Sequence, residues 1–164
     1  RIWGAEITNG ITWPIRQRTM PGERIGHEFW HADGEHVGYH GSRPDGLRII
    51  GHVRFDDIEC HDAVSPYYVQ HVHCNTPDRM VGDGSQGGAF VRLFQRNGCG
   101  YGEPRALCEH RCAAHFQQAH VHPRFSPDGE TVVFTSNRTG YCQVYEVRVP
   151  PIESLPVIDV AREG

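Results

Sequence analysis

The chain has 164 residues, 38% of them hydrophobic, which is enough to form a domain with a core. Its formal net charge of −4 disfavours binding to nucleic acid or to an anionic membrane, because both attract basic proteins. No segment approaches the ~20 apolar residues that span a bilayer. The chain begins at Arg1 without a signal-like run, so we expect a cytoplasmic piece of a longer protein.

Three segments share a turn sequence followed by a β-branched or alternating run. They are "HADGEHVGYHGSR" from residue 31, "NTPDRMVGDGS" from residue 75 and "SPDGETVVFTSNRTGYCQVYEVRV" from residue 126. Asp-Gly favours a tight reversal, because glycine accepts a positive φ and aspartate bonds its own backbone. Each segment is therefore predicted to be the central hairpin of a small antiparallel sheet.

The turn aspartates recur at the spacing of propeller blades. Asp33, Asp78 and Asp128 are separated by 45 and 50 residues. We expect an all-β partial β-propeller, with about three antiparallel four-stranded blades in residues 1–150 and a C-terminal tail in 151–164 that runs along the outside or frays. Residues 103–119 are either a helical turn or two, or a long inter-blade loop. The missing N-terminal blades of a full-length chain would cover the open edge.

The six cysteines are predicted to be free buried thiols of a reducing compartment rather than disulfides. Cys108 and Cys112 flank His110 in "CEHRC", a spacing that suggests zinc. No second cysteine pair of matching spacing follows, so the zinc alternative is weakly supported.

The twelve histidines are the outstanding feature of the composition, because histidine is the commonest metal ligand. His120 and His122 stand at i and i+2 and share one face if the chain is extended, and Gln117 could add an amide oxygen. One segment earlier, His71 and His73 repeat the spacing. Imidazoles and an amide oxygen suit a borderline divalent ion. The alternative is that these are polar residues of surface turns.

A fifth candidate histidine, His27, stands beside Glu28 in "RIGHEFWHADGEH", ahead of the first turn. It is either packed on the aromatic residues that follow it or functional. The remaining histidines are interpreted as surface or structural residues: His31, His36, His40, His52, His61, His110 and His115.

Three elements together resemble a known family. "GHEFWHADGEHVGYHG", "QHVHCNTPDRMVGDG" and "QQAHVHPRFSPDGETVVFTSN", in this order, look like the C-terminal half of the oligogalacturonate lyases of polysaccharide lyase family 22. The resemblance covers about residues 1–150. It implies a seven-bladed propeller that holds a manganese ion, or another divalent metal, through three histidines and a glutamine.

Carried over by motif, the metal ligands would be Gln117, His120, His122 and a third histidine ahead of "MVGDG". We place that third ligand at His71, with His73 as its rival. The segment departs from the family's usual wording here, which leaves the choice open.

The family's catalytic base matches His27, and Arg1 is a possible match for a substrate-binding arginine. The resemblance implies a carbon–oxygen lyase that cleaves short, often unsaturated galacturonides by β-elimination in pectin degradation. Two alternatives remain. One is a non-catalytic propeller interaction module with structural histidines, which predicts no clustering of His71, His120 and His122. The other is a related metal-dependent enzyme whose substrate is not pectic.

Overall fold

The structure is a computed structural model that describes residues 1–56, 60–84, 88–113 and 119–159. These residues form fourteen β-strands, all paired antiparallel, and include a 3₁₀ turn at Ile152–Ser154; the same residues contain no α-helix. The all-β prediction is therefore confirmed. In the described ranges, no helix has the length and apolarity to cross a membrane. The chain divides into two compact units, Arg1–Pro66 and Tyr67–Gly164.

The first unit contains a two-stranded sheet and a four-stranded meander. The two-stranded sheet pairs β1 (Ile2–Ala5) with β2 (Thr12–Arg16). The meander follows chain order through β3 (Arg24–Trp30), β4 (His36–Ser42), β5 (Arg48–Arg54) and β6 (Cys60–Ser65). The apolar core of this unit draws on both sheets and is formed by Ile2, Ile15, Ile25, Val37, Tyr39, Ile49 and Val53.

The second unit contains a five-stranded and a three-stranded sheet. The first runs through β7 (Val72–Thr76), β8 (Arg79–Gly82) and β9 (Phe90–Asn97), and β9 pairs on its far side with both β10 (Gly100–Tyr101) and β11 (Arg105–Glu109). The second orders β12 (Arg124–Phe125), β13 (Thr131–Ser136) and β14 (Gln143–Arg148). Their shared core consists of Val81, Val91, Leu93, Leu107, Val121, Phe125, Val132 and Phe134.

All three predicted reversals form hairpins. Asp33 lies between β3 and β4, where its Oδ1 accepts the backbone N–H groups of Glu35 at 2.8 Å and His36 at 3.0 Å. Asp78 lies between β7 and β8, and Asp128 between β12 and β13. The prediction of a central hairpin was wrong, because each hairpin joins the first and second strands of its sheet. Turn chemistry determines where the chain reverses, but not on which side later strands add.

Part of the region between residues 103 and 119 is a strand, β11 (Arg105–Glu109). β11 pairs with β9, and Leu107 is buried in the core, so the helical alternative is wrong for Arg105–Glu109. Residues 114–118 lie outside the described ranges. The C-terminal tail runs along β11: the Ala106 N–H donates to the carbonyl oxygen of Pro156, and the Ile158 N–H to that of Pro104, both at 2.9 Å.

Candidate metal centre

Three of the predicted ligands come together in the second unit. One ring nitrogen from each of His71, His120 and His122 lies within 4.8 Å of the others. The ring centroids of His71 and His122 are 3.7 Å apart, and those of His71 and His120 are 5.3 Å apart. His71 directly precedes β7, whereas His122 and His120 lie two and four residues before β12, and these two strands lie against each other. Strand packing therefore brings together imidazoles that are about fifty residues apart in sequence.

The residues of this cluster fit a divalent cation. Nδ1 of His120 is buried and has no hydrogen-bond partner in the described structure. A buried polar atom without a partner is unfavourable by about 1–3 kcal/mol, which a bound ion or another ligand would offset. Imidazole nitrogens are good ligands for zinc, copper, iron and nickel. Within the residues that the structure describes, this is the one group of three or more His, Cys, Asp or Glu side chains that could hold an ion.

Asp83 orients His71. Oδ2 of Asp83 lies 2.6 Å from Nδ1 of His71, and both side chains are buried. Oδ1 of Asp83 accepts the backbone N–H groups of His71 at 2.7 Å and Gln70 at 3.2 Å. A carboxylate partner fixes the proton of His71 on Nδ1 and leaves a lone pair on Nε2, as a metal ligand would require. Sequence reasoning did not assign this role to Asp83, although it lies in the "MVGDG" segment used to place the third histidine.

His73 lies outside the cluster. Its Nδ1 accepts the backbone N–H of Phe125 at 3.1 Å, and the residue is only 5% exposed. His73 thus joins β7 to β12 as a buried structural residue. Of the two histidines left open by the sequence, the structure brings His71 to His120 and His122. Gln117, the proposed fourth ligand, lies outside the described residues.

His27 lies in the first unit, at a β-bulge in β3 between Gly26 and Phe29. Its side chain is exposed, and its ring lies edge to edge with that of His40 of β4, with centroids 4.6 Å apart and planes inclined by 25°. Nδ1 of His27 contacts Nε2 of His40. Arg1 is placed beside the same strand, where its Nε donates to the carbonyl oxygen of Ile25 at 3.0 Å.

Two of the candidate histidines have an unusual backbone conformation. His27 has a φ of 52° and His122 a φ of 43°, both in the left-handed region that non-glycine residues rarely adopt. Each precedes the aspartate of the following turn by six residues, from His27 to Asp33 and from His122 to Asp128. Strained backbone of this kind concentrates at functional sites.

The zinc alternative at "CEHRC" is not supported. Nε2 of His110 donates to the carbonyl oxygen of Gly88 at 2.6 Å, and Nδ1 accepts the backbone N–H of Cys112 at 3.0 Å. Both nitrogens therefore serve the backbone. The five cysteines that the structure describes in full are free thiols, but only Cys74 is buried: Cys74, Cys99, Cys108, Cys112 and Cys142.

The fold is similar to that of solved oligogalacturonate lyases. The enzyme from Vibrio parahaemolyticus is 24% identical, with a TM-score of 0.72, and the match covers 92% of this chain and 42% of that one. A structure described as oligogalacturonate lyase in complex with manganese is 25% identical, with a TM-score of 0.72, and the match covers 92% of this chain and 41% of that one. The present chain therefore spans about two fifths of their length.

No protein-family model and no curated protein sequence matches the chain. The similarity predicted from the three motifs is nevertheless confirmed at the level of structure.

Proposed function

We propose that this chain is part of an oligogalacturonate lyase, a carbon–oxygen lyase that cleaves short galacturonides by β-elimination in pectin degradation. The observation that carries the proposal is the cluster of His71, His120 and His122 within a fold like that of the manganese-containing lyase. The sheets of the present chain would then form about three blades of a seven-bladed propeller, and the rest of a longer chain would supply the other blades.

The ligands of a divalent ion in this proposal are His71, His120 and His122, with Gln117 as the fourth. All four donors are neutral, so they leave the charge of manganese or another divalent ion undiminished. When bound, the ion would neutralise the carboxylate of a uronate and stabilise the negative charge that develops there. Asp83 holds the ring of His71 in place for this role.

His27 is the proposed general base. It removes the proton from C5 of the uronate, the electron pair of that C–H bond forms the C4–C5 double bond, and the glycosidic oxygen leaves C4 with its bonding pair. The exposed ring of His27 is accessible to a substrate. Arg1, which lies beside the same strand, is the proposed partner of a substrate carboxylate.

The non-catalytic alternative predicts that the three histidines lie apart. One ring nitrogen of each lies within 4.8 Å of the others, which favours the metal site. The proposal also differs from this alternative in what it predicts for the purified protein, because a structural role needs no stoichiometric metal.

The test measures metal content and the cleavage of digalacturonate by the protein's full chain. We expect one equivalent of divalent metal, loss of activity with chelator and recovery with manganese. His27→Ala should lose turnover and keep the metal, whereas His71→Ala should lose both. Full activity of metal-free protein, or normal turnover by His27→Ala, would contradict the proposal.

A further inference from the structure

The contact between His27 and His40 depends on the bulge in β3. Gly26 pairs with His40 and Phe29 pairs with Gly38, so His27 and Glu28 together occupy the space opposite Tyr39. In a regular strand, successive side chains point to opposite faces. His27 would then share the face of Tyr39, which is fully buried, and not that of His40. The extra residue and the left-handed φ of 52° instead place the His27 ring against His40.

The tautomers of the two rings decide what His27 can do. A neutral imidazole has one N–H and one nitrogen with a lone pair. If His40 donated its Nε2–H to Nδ1 of His27, the proton of His27 would lie on Nε2, which could then accept nothing. If Nδ1–H of His27 donates to Nε2 of His40, then Nε2 of His27 keeps its lone pair. Only the second arrangement provides a base.

We infer that His40 is a positioning residue that accepts the Nδ1–H of His27, thereby fixes the orientation of the His27 ring, and leaves Nε2 of His27 as the proton acceptor. The base role of His27 and the choice of tautomer rest on the proposed function, whereas the contact between the two rings does not. When Nε2 takes a proton from the substrate, Nδ1–H stays bonded to His40, whose lone pair then stabilises the positive charge on His27. Sequence reasoning interpreted His40 as a surface or structural residue.

The experiment combines nuclear magnetic resonance of the histidine ring nitrogens with kinetics on digalacturonate, using the full chain loaded with manganese for activity and with zinc for the spectra. In the unmodified protein we expect His27 to be protonated on Nδ1 and bare on Nε2 at neutral pH. His40→Leu removes the acceptor, so His27 should become a mixture of tautomers. Its kcat should fall about tenfold or more, but by less than the 10²–10⁴-fold that the general base itself contributes, with little change in KM.

Two further variants separate positioning from folding. His40→Gln keeps an acceptor oxygen near the position of Nε2 and should restore much of the lost kcat and the Nδ1–H tautomer. His61→Leu removes an exposed histidine from β6 of the same sheet and should change neither. Thermal unfolding identifies any variant that has lost its fold.

The outcomes distinguish this inference from the function on which it rests. If no metal supports cleavage of galacturonides, the proposed function fails. The nuclear magnetic resonance spectra alone then show which of the two rings donates the hydrogen bond between His27 and His40. If His27 carries its proton on Nε2, or if His40→Leu leaves kcat or the tautomer unchanged, the positioning role is wrong even where the protein is a lyase.

Discussion

Asp83 binds both the ring and the backbone of His71. Oδ2 lies 2.6 Å from Nδ1 of the imidazole, and Oδ1 accepts the backbone N–H of the same residue at 2.7 Å. One carboxylate thereby fixes the position of the chain and the rotation of the ring at the start of β7. The ring nitrogen opposite the carboxylate is the atom that would bind a metal ion in the proposed site.

Replacing this carboxylate should weaken metal binding. In Asp83→Asn the amide can still accept the backbone N–H of His71, but it no longer offers a carboxylate to Nδ1. Loss of such a partner typically lowers metal affinity about 10- to 100-fold. Calorimetric titration with manganese and zinc measures the change. Asp78→Asn, which alters an exposed turn carboxylate of the same sheet, is the matched control, and equal affinities in the two variants would contradict the role of Asp83.

Substitutions should show that His71 is needed for metal binding and His73 for the stability of the fold. His73→Asn keeps an acceptor near the position of Nδ1 for the Phe125 N–H and should keep both the metal and stability. His73→Leu leaves that buried N–H unpaired and should lower the free energy of unfolding by about 1–3 kcal/mol while retaining the metal. His71→Asn should lose the metal. Elemental analysis and urea unfolding test this, and a folded His73→Asn protein without metal would count against it.

A buried ion network stabilises the first unit. Arg16 is 1% exposed, and its guanidinium lies 3.1 Å from Glu23 and 2.8 Å from Asp62. Glu23→Gln removes one negative charge beside the buried cation and should lower the free energy of unfolding by about 3 kcal/mol. Glu35→Gln is the control, because its ion pair with Arg54 is about half exposed and should change stability by less than about 1 kcal/mol. Similar losses of unfolding free energy in both variants would show that the buried ion network contributes no more than the exposed ion pair.

The same network predicts that the free energy of unfolding falls in acid. Burial by itself raises the pKa of Glu23, but the backbone N–H of Thr19 and the charge of Arg16 outweigh it, so the pKa is lowered from its usual value of 4.5. Since the folded pKa is depressed, the stabilisation is present above the unfolded pKa and is lost as pH falls through the folded one. Urea unfolding of Glu23→Gln should therefore show a weaker loss of stability below pH 4.5 than the unmodified protein does.

His31 should produce a separate pH dependence. The residue is 3% exposed, its Nε2 lies 2.8 Å from Nδ1 of His52, and burial lowers its pKa from 6.5 to about 4. Between these values the unfolded chain binds more protons, so stability falls as pH drops from 6.5 to about 4. The shift corresponds to roughly 3 kcal/mol. His31→Phe, which keeps an aromatic ring against Phe29, should remove most of this loss in urea unfolding, and an unchanged slope would show that His31 is not its source.

The hairpins could be predicted from sequence because turn chemistry is local. Asp33, Asp78 and Asp128 all lie at reversals as expected. The choice between His71 and His73 could not be predicted. Side chains at i and i+2 of a strand point to the same face, so the alternation of faces does not distinguish the two. That choice depends on β12, where the backbone N–H of Phe125 donates a hydrogen bond to Nδ1 of His73.

The contributions of His40 and Asp83 were missed for a related reason. His40 meets His27 only because a bulge reverses the direction of one side chain, and no residue spacing signals that reversal. Asp83 meets His71 across the β7–β8 hairpin, twelve residues away in sequence. Both contacts arise from strand register, which is determined by packing of the whole sheet.

The left-handed backbone at His27 and His122 implies that substitutions which stabilise the fold at these positions would reduce activity. A non-glycine residue in this conformation costs about 1–2 kcal/mol, a penalty that glycine largely avoids. Selection of variants for heat resistance alone should therefore favour glycine at both positions. Such variants would fold at least as well as the unmodified protein, yet they would lack a proposed base at one position and a proposed metal ligand at the other.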